Sequence, residues 1–202
     1  MKKVLSILCA ALLFVITTAG CKQKQDVKIT YFHADWPYYQ SLDSLTAAAN
    51  NIFEGKVTNI FFDVVNMTTG ESADKSDDPL VCMLYTIYEV EMIASYKGVN
   101  DGKAYIKVEG GIQGFKEAEQ CEVMQKAGVF DENTGIRVCD SFAPLTLGDT
   151  YLFLTNKRAT TYHTIINTDQ FAFKLGDTDE NEMFTYEKVK SYVIQQSTHE
   201  QS

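Results

Sequence analysis

The run Leu84-Tyr85-Thr86-Ile87-Tyr88-Glu89-Val90-Glu91-Met92-Ile93-Ala94-Ser95-Tyr96 decides the fold, together with Ala104-Tyr105-Ile106-Lys107-Val108-Glu109 after the turn Lys97-Gly98-Val99-Asn100-Asp101-Gly102. In the first run Leu84, Tyr88, Val90, Met92, Ala94 and Tyr96 fall on one face, and Glu89 and Glu91 on the other. In the second, Ala104, Ile106 and Val108 alternate with Tyr105, Lys107 and Glu109. Successive side chains of a strand point to opposite sides, so a period of two predicts strands with one buried face.

Working outward, the same pattern recurs. Phe53, Gly55 and Val57 alternate with Glu54, Lys56 and Thr58, and the register blurs at Ile60-Phe61-Phe62, where Gly55 upstream would permit a bulge. Tyr151-Leu152-Phe153-Leu154 is a continuous apolar run, expected of a strand buried on both sides, and Tyr162–Ile166 and Phe171–Leu175 supply two more. Ser41 to Asn50 reads as a short helix with Ser41 as N-cap, Asp43 in the first turn, and Leu42, Leu45 and Ala49 on one face. Glu180 to Gln196 reads as a closing helix. Two polar stretches, 66–79 and 110–141, read as long loop insertions. The expectation is a mainly β domain with short flanking helices: a small closed barrel with long loops and a C-terminal helix. Closure would also remove exposed strand edges.

Four short runs carry a resemblance: Asn51-Ile52-Phe53-Glu54-Gly55-Lys56-Val57, Tyr88-Glu89-Val90 through Tyr96-Lys97-Gly98, Val108-Glu109-Gly110-Gly111, and Leu147-Gly148-Asp149-Thr150-Tyr151-Leu152-Phe153-Leu154. Over about residues 42–175 the chain resembles a group of surface lipoproteins and secreted proteins of Gram-positive bacteria. Their domain is similar to the oligonucleotide/oligosaccharide-binding (OB-like) barrel of netrin-like modules and tissue inhibitors of metalloproteinases. The shared motifs are structural, so the resemblance implies a fold more than a function. Inhibitors of that fold chelate zinc through a free N-terminal cysteine. Here the nearest equivalent, Cys21, lies on a tether and would be lipidated, so the inhibitory wedge has no counterpart.

Residues 1–21 bear on location. Met1-Lys2-Lys3 precedes an apolar stretch, Val4–Ile16, which ends in Thr17-Thr18-Ala19-Gly20-Cys21. This is the pattern of a secretory signal peptide, and Ala19-Gly20-Cys21 resembles the lipobox of bacterial lipoproteins. The stretch is too short to span a hydrocarbon core, which needs roughly 20 apolar residues. The sequence therefore predicts a signal peptide over 1–20, a lipid-anchored tether over 21–30 acylated at Cys21, a single domain over 31–196 and a tail over 197–202. The protein is expected on the extracytoplasmic membrane face, held through its N-terminal lipid at about 0.8 kcal/mol per buried methylene.

The chain is acidic, with net charge −9, which argues against nucleic acid, where affinity comes from neutralising phosphates. Once Cys9 and Cys21 are set aside, Cys82, Cys121 and Cys139 allow three pairings. Cys121 and Cys139 flank 17 residues of the second insertion and are the expected disulfide, worth about 3 kcal/mol in a chain-entropy model. Cys82, before an apolar strand, reads as a small buried hydrophobe.

The aromatic segment Tyr31-Phe32-His33-Ala34-Asp35-Trp36-Pro37-Tyr38-Tyr39 is either an exposed binding surface or a lid on the core. Pro37 holds Trp36 extended, which suits the lid. No nucleophile elbow, phosphate loop, His-Glu-x-x-His or Cys-x-x-Cys occurs. A Cys82/His163 or serine/His33 pairing is the only nucleophilic arrangement to weigh, and spacing does not support it. Asp177, Asp179 and Asn181 alternate like the opening of a calcium loop, but Glu182 stands where the turn needs glycine and Lys188 where the bidentate glutamate belongs. No cofactor or metal is expected. The acidic loop Asp74, Asp77 and Asp78 is the candidate binding loop. The function expected is a non-catalytic binding module for another protein or a cell-wall glycan. Inhibition of secreted proteases and an unrecognised hydrolase are the alternatives.

Overall fold

A computed structural model describes residues 27–98, 102–177 and 183–199. Cys21, the signal segment, Asp179 and Asn181 lie outside the described residues. The elements are β1 (Ile29–Phe32), α1 (Leu42–Ala48), β2 (Asn51–Asn66), a 3-10 turn (Pro79–Val81), β3 (Cys82–Lys97), β4 (Lys103–Glu109), α2 (Glu117–Ala127), β5 (Ile136–Cys139), β6 (Thr150–Lys157), β7 (His163–Ile165), β8 (Ala172–Lys174) and α3 (Tyr186–His199). The protein is mainly β, as its alternating runs require.

The principal sheet has the order β2-β3-β4-β7-β6-β8, and β6 pairs with β2 as well. β7 and β8 divide one edge of β6 between them, while β2 takes the other through Asn51–Lys56. All ladders of this sheet are antiparallel except β4–β7. β2 is 16 residues long and shifts register at Ile52/Phe53, Glu54/Gly55 and Val57/Asn59. Gly55 is required there: a Cβ would lie 2.4 Å from Val90 Cγ1 and 3.0 Å from Glu91 O.

The predicted inward faces of β3 and β4 hold. Tyr88, Val90, Ala104, Ile106 and Val108 are buried in the main core with Phe53, Val57, Leu152, Phe153 and Leu154. The blurred register at 60–62 has a physical cause, because both faces of β2 are covered there. Ile60, Phe62 and Val64 join the main core. Phe61 packs on a second cluster of Val65, Tyr85, Ile87 and Tyr162 on the outer face.

Several expectations need correcting. Glu54 was expected on a polar, outward face but is buried, because α3 covers it. Its Oε2 accepts Lys190 Nζ at 2.8 Å and Tyr96 Oη at 3.0 Å, which pins the closing helix. That helix begins at Tyr186 rather than near 180 and includes Ser197–His199 of the expected tail. The stretch 110–141 is not simply a loop, since it contains α2 and β5. β5 pairs in parallel with β1, matching Ile29 to Ile136 and Phe32 to Cys139, so β1 takes in the last residues of the expected tether.

The Cys121–Cys139 bridge is not formed: Cys82, Cys121 and Cys139 are all free. Cys121 is fixed within α2, and Cys139 ends β5 with its Sγ 3.3 Å from Ser141 Oγ.

The aromatic segment lies across the core. Phe32, Ala34 and Trp36 are half-buried and alternate with exposed Tyr31, His33 and Asp35. It is fastened by a turn: Gln170 accepts Tyr39 N at 2.9 Å and donates to Tyr39 O at 2.9 Å, and Asn167 donates to Pro37 O at 3.0 Å.

Candidate functional site

The outer face of β3, β4 and β7 carries the candidate site. Ile106 and Val108 face inward, so the strand's period of two turns Lys107 outward. Cross-strand pairing sets Lys107 beside Ile87 and Thr164, one register step from Tyr85. Two loops wall the face. Residues 66–72 follow β2, and residues 158–162 join β6 to β7. The result is a cleft of about 580 Å³ lined by Asn50, Met67–Gly70, Tyr85, Lys107, Asn156, Arg158, Thr160 and Thr164.

Side-chain bonds tie the walls together. Tyr162 Oη donates to Asp63 Oδ2 at 2.6 Å and lies 3.0 Å from Ser72 Oγ. Glu71 Oε1 accepts Thr161 N at 2.9 Å. Asn66 Oδ1 accepts the Thr68 and Thr69 amides at 2.8 and 3.3 Å, shaping the first loop. Asn156 Oδ1 accepts Asn50 N at 2.9 Å, and Asn50 Oδ1 accepts Lys157 N at 2.8 Å, which fixes the cleft's end.

Lys107 is only 8% exposed, unusual for an ammonium group. Its Nζ donates to Gly70 O at 3.0 Å and sits 5.2 Å from the Tyr85 ring and 5.7 Å from the Tyr162 ring. An ammonium has three N–H donors, so donor capacity remains. Burial pulls its pKa down, against the pull of Glu71, Glu109 and Asp63. Burial also pushes Tyr85 up to about 12, with Glu109 adding to it, and Tyr162 up to about 12, reinforced by Asp63. Tyr85 lines the cleft, and its hydroxyl makes no hydrogen bond among the described residues.

The residues singled out from sequence lie elsewhere. Asp74 Oδ1 accepts Ser76 N at 2.9 Å, Asp77 Oδ2 accepts Asp74 N at 2.8 Å, and Asp78 Oδ1 accepts Leu80 N at 3.0 Å. These carboxylates hold their own loop in shape. Asp74 lines a separate recess against α2 with Phe62, Val123 and Lys126. His33 pairs with Asp140 at 3.0 Å rather than with a serine. No group of three or more metal-ligating side chains occurs among the described residues.

His163 is 1% exposed and its Nδ1 is 2.9 Å from Thr155 Oγ1, not paired with Cys82. Its Nε2 has no partner among the described residues. A proton on Nδ1 suits this site, because a bare Nε2 lone pair costs less when buried than an orphan N–H. Burial first, and Lys157 second, push its pKa from 6.5 down to about 4. The unfolded chain binds this proton below about pH 6.5 and the folded chain only below about pH 4. Stability present at neutral pH is therefore lost as pH falls through that window, by about 3 kcal/mol. The difference in urea midpoint between pH 7 and pH 4.5 should shrink in His163→Gln. An unchanged difference would remove His163 as an acid-sensitive group.

Lys107 was legible as an outward strand residue, not as a buried one. The hydroxyl-rich walls Met67-Thr68-Thr69-Gly70 and Arg158-Ala159-Thr160-Thr161 were the only sequence signal. Comparison with models of known protein families and with curated proteins finds no match.

Proposed function

We propose that the chain is a non-catalytic, lipid-anchored lipoprotein of the extracytoplasmic membrane face, whose domain is a closed OB-like barrel acting as a binding module for another protein or a cell-wall glycan. The observation that carries this reading is the cleft around Lys107, a recess walled by two loops on a rigid sheet, which is where such scaffolds place recognition. The succession of ladders from β2 through β3, β4, β7 and β6 back to β2 supports the barrel. The basic start, the apolar stretch and Ala19-Gly20-Cys21 support the anchor.

Fractionation of cells expressing the full chain and Cys21→Ser tests the placement. The parent should sediment with membranes and the variant should be released. A variant that stays membrane-bound, or a parent found in the cytosol, would overturn it. A photo-crosslinking residue at Thr160, on the cleft rim, should capture a surface component in intact cells more strongly than one at Asp77. Equal capture at both positions would count against the cleft.

A further inference from the structure

We infer that the cleft around Lys107 takes an anionic sugar, a saccharide bearing a carboxylate or a phosphate; this rests on the binding-module reading above. The charge distribution points to it. The chain carries 27 acidic residues against 18 basic, yet the lining of this cleft includes Lys107 and Arg158 and no carboxylate. Two of the three carboxylates that act on Lys107 are already engaged. Asp63 accepts from Tyr162 and Ser72, and Glu71 accepts from Thr161 N. Burial raises the Glu109 pKa against the pull of Arg137 and Lys107, and Glu109 does not line the cleft. Their charges act against the burial that lowers the Lys107 pKa, and none of them fills its remaining donor positions.

The second observation is the Tyr85 hydroxyl. Tyr85 is 7% exposed and lines the cleft, and its hydroxyl has no protein partner among the described residues. A hydroxyl open to water in a cleft can exchange that water for a ligand oxygen. Arg158 is exposed on the opposite wall and forms no ion pair among the described residues. Its planar fork matches a carboxylate or phosphate.

Volume and lining separate a sugar from a bare anion. About 580 Å³ is far more than inorganic phosphate fills, and lies in the range of pockets that enclose organic ligands. Thr68 lines the cleft, and the Thr160 and Thr164 hydroxyls, which donate to Tyr162 O and Asn156 O, can still accept, as Thr69, which accepts Glu71 N, can still donate. These groups suit the many oxygens of a saccharide. One face of Tyr85 is covered by Lys107, so recognition proceeds by hydrogen bonds and charge rather than by stacking on that face.

Calorimetric titration of the full chain in detergent tests this, with oligogalacturonate, the neutral galactose oligomer of equal length, glucose 6-phosphate and inorganic phosphate as probes. Binding of the uronate or the sugar phosphate, at least tenfold tighter than the neutral oligomer and weakening with salt, supports the inference. The relative affinities of those two distinguish a carboxylate from a phosphate ligand. Arg158→Glu, an exposed change that spares the core, should weaken that binding at least tenfold, and Lys107→Met by more. Equal binding of neutral and charged oligomers, or binding unmoved by Arg158→Glu, overturns the anionic ligand while leaving a glycan module standing. Inorganic phosphate binding as tightly as the sugars overturns the saccharide. Absence of binding by every probe overturns the inference, and the rim crosslinking above then decides separately whether the cleft binds anything.

Discussion

Gln120→Leu should lower the melting temperature by roughly 10 °C. Gln120 is fully buried on α2. Its Nε2 donates to Ile112 O at 2.8 Å and to Phe115 O at 2.6 Å, and its Oε1 accepts Ile112 N at 3.2 Å. One amide thus satisfies three backbone groups of the segment that leads into the helix. Leucine of similar size fills the volume but leaves all three unpaired in a dry interior. Each such group costs about 1–3 kcal/mol, so a total of about 4 kcal/mol is expected. At about 2–4 °C per kcal/mol for a domain of this size, that gives the stated shift. A thermal scan in which the variant melts within about 2 °C of the parent would refute this account of the segment.

Gly135→Ala should release β1 from the domain while the principal sheet stays folded. Gly135 has φ +66°, and a Cβ there would fall 2.0 Å from Lys28 O. That oxygen accepts Ile136 N at 2.9 Å, the bond that begins the β1–β5 register. Backbone meets the new methyl, so no side-chain rotation relieves the clash, and alanine also strains at positive φ. The expected cost is about 3 kcal/mol or more, concentrated locally. Hydrogen exchange should show amides of Ile29–Phe32 and Ile136–Cys139 losing at least 100-fold of protection, with those of β3 and β4 unchanged. Protection retained in β1 would mean that the chain accommodates a methyl where the geometry leaves no room.

What was legible followed from local rules. The period of two marked β3 and β4 because each buries one face against a single core. Ser41 marked α1, whose Ser41 and Ser44 side chains cap each other's amides. Helix α2 was not legible because its usual start signal is missing. Its N-cap is Lys116 in a left-handed conformation with no side-chain cap bond, and its buried face includes the polar Gln120. The free cysteines follow from the same helix. Spacing along the chain suggested a loop short enough to bridge, but Cys121 lies within α2 rather than in a loop, and neither thiol is bonded.

By itself the sequence determined the mainly β class and which residues of β3 and β4 point into the main core. Hydrophobic alternation and capping act over a few residues, so they can be read from neighbours alone. The tertiary structure decided the parallel β1–β5 pair, the burial of Glu54 under α3, and the cleft that encloses Lys107. Each depends on segments far apart in the chain meeting in space: Lys107 is an ordinary outward lysine until residues 66–72 and 158–162 close over it and remove it from water.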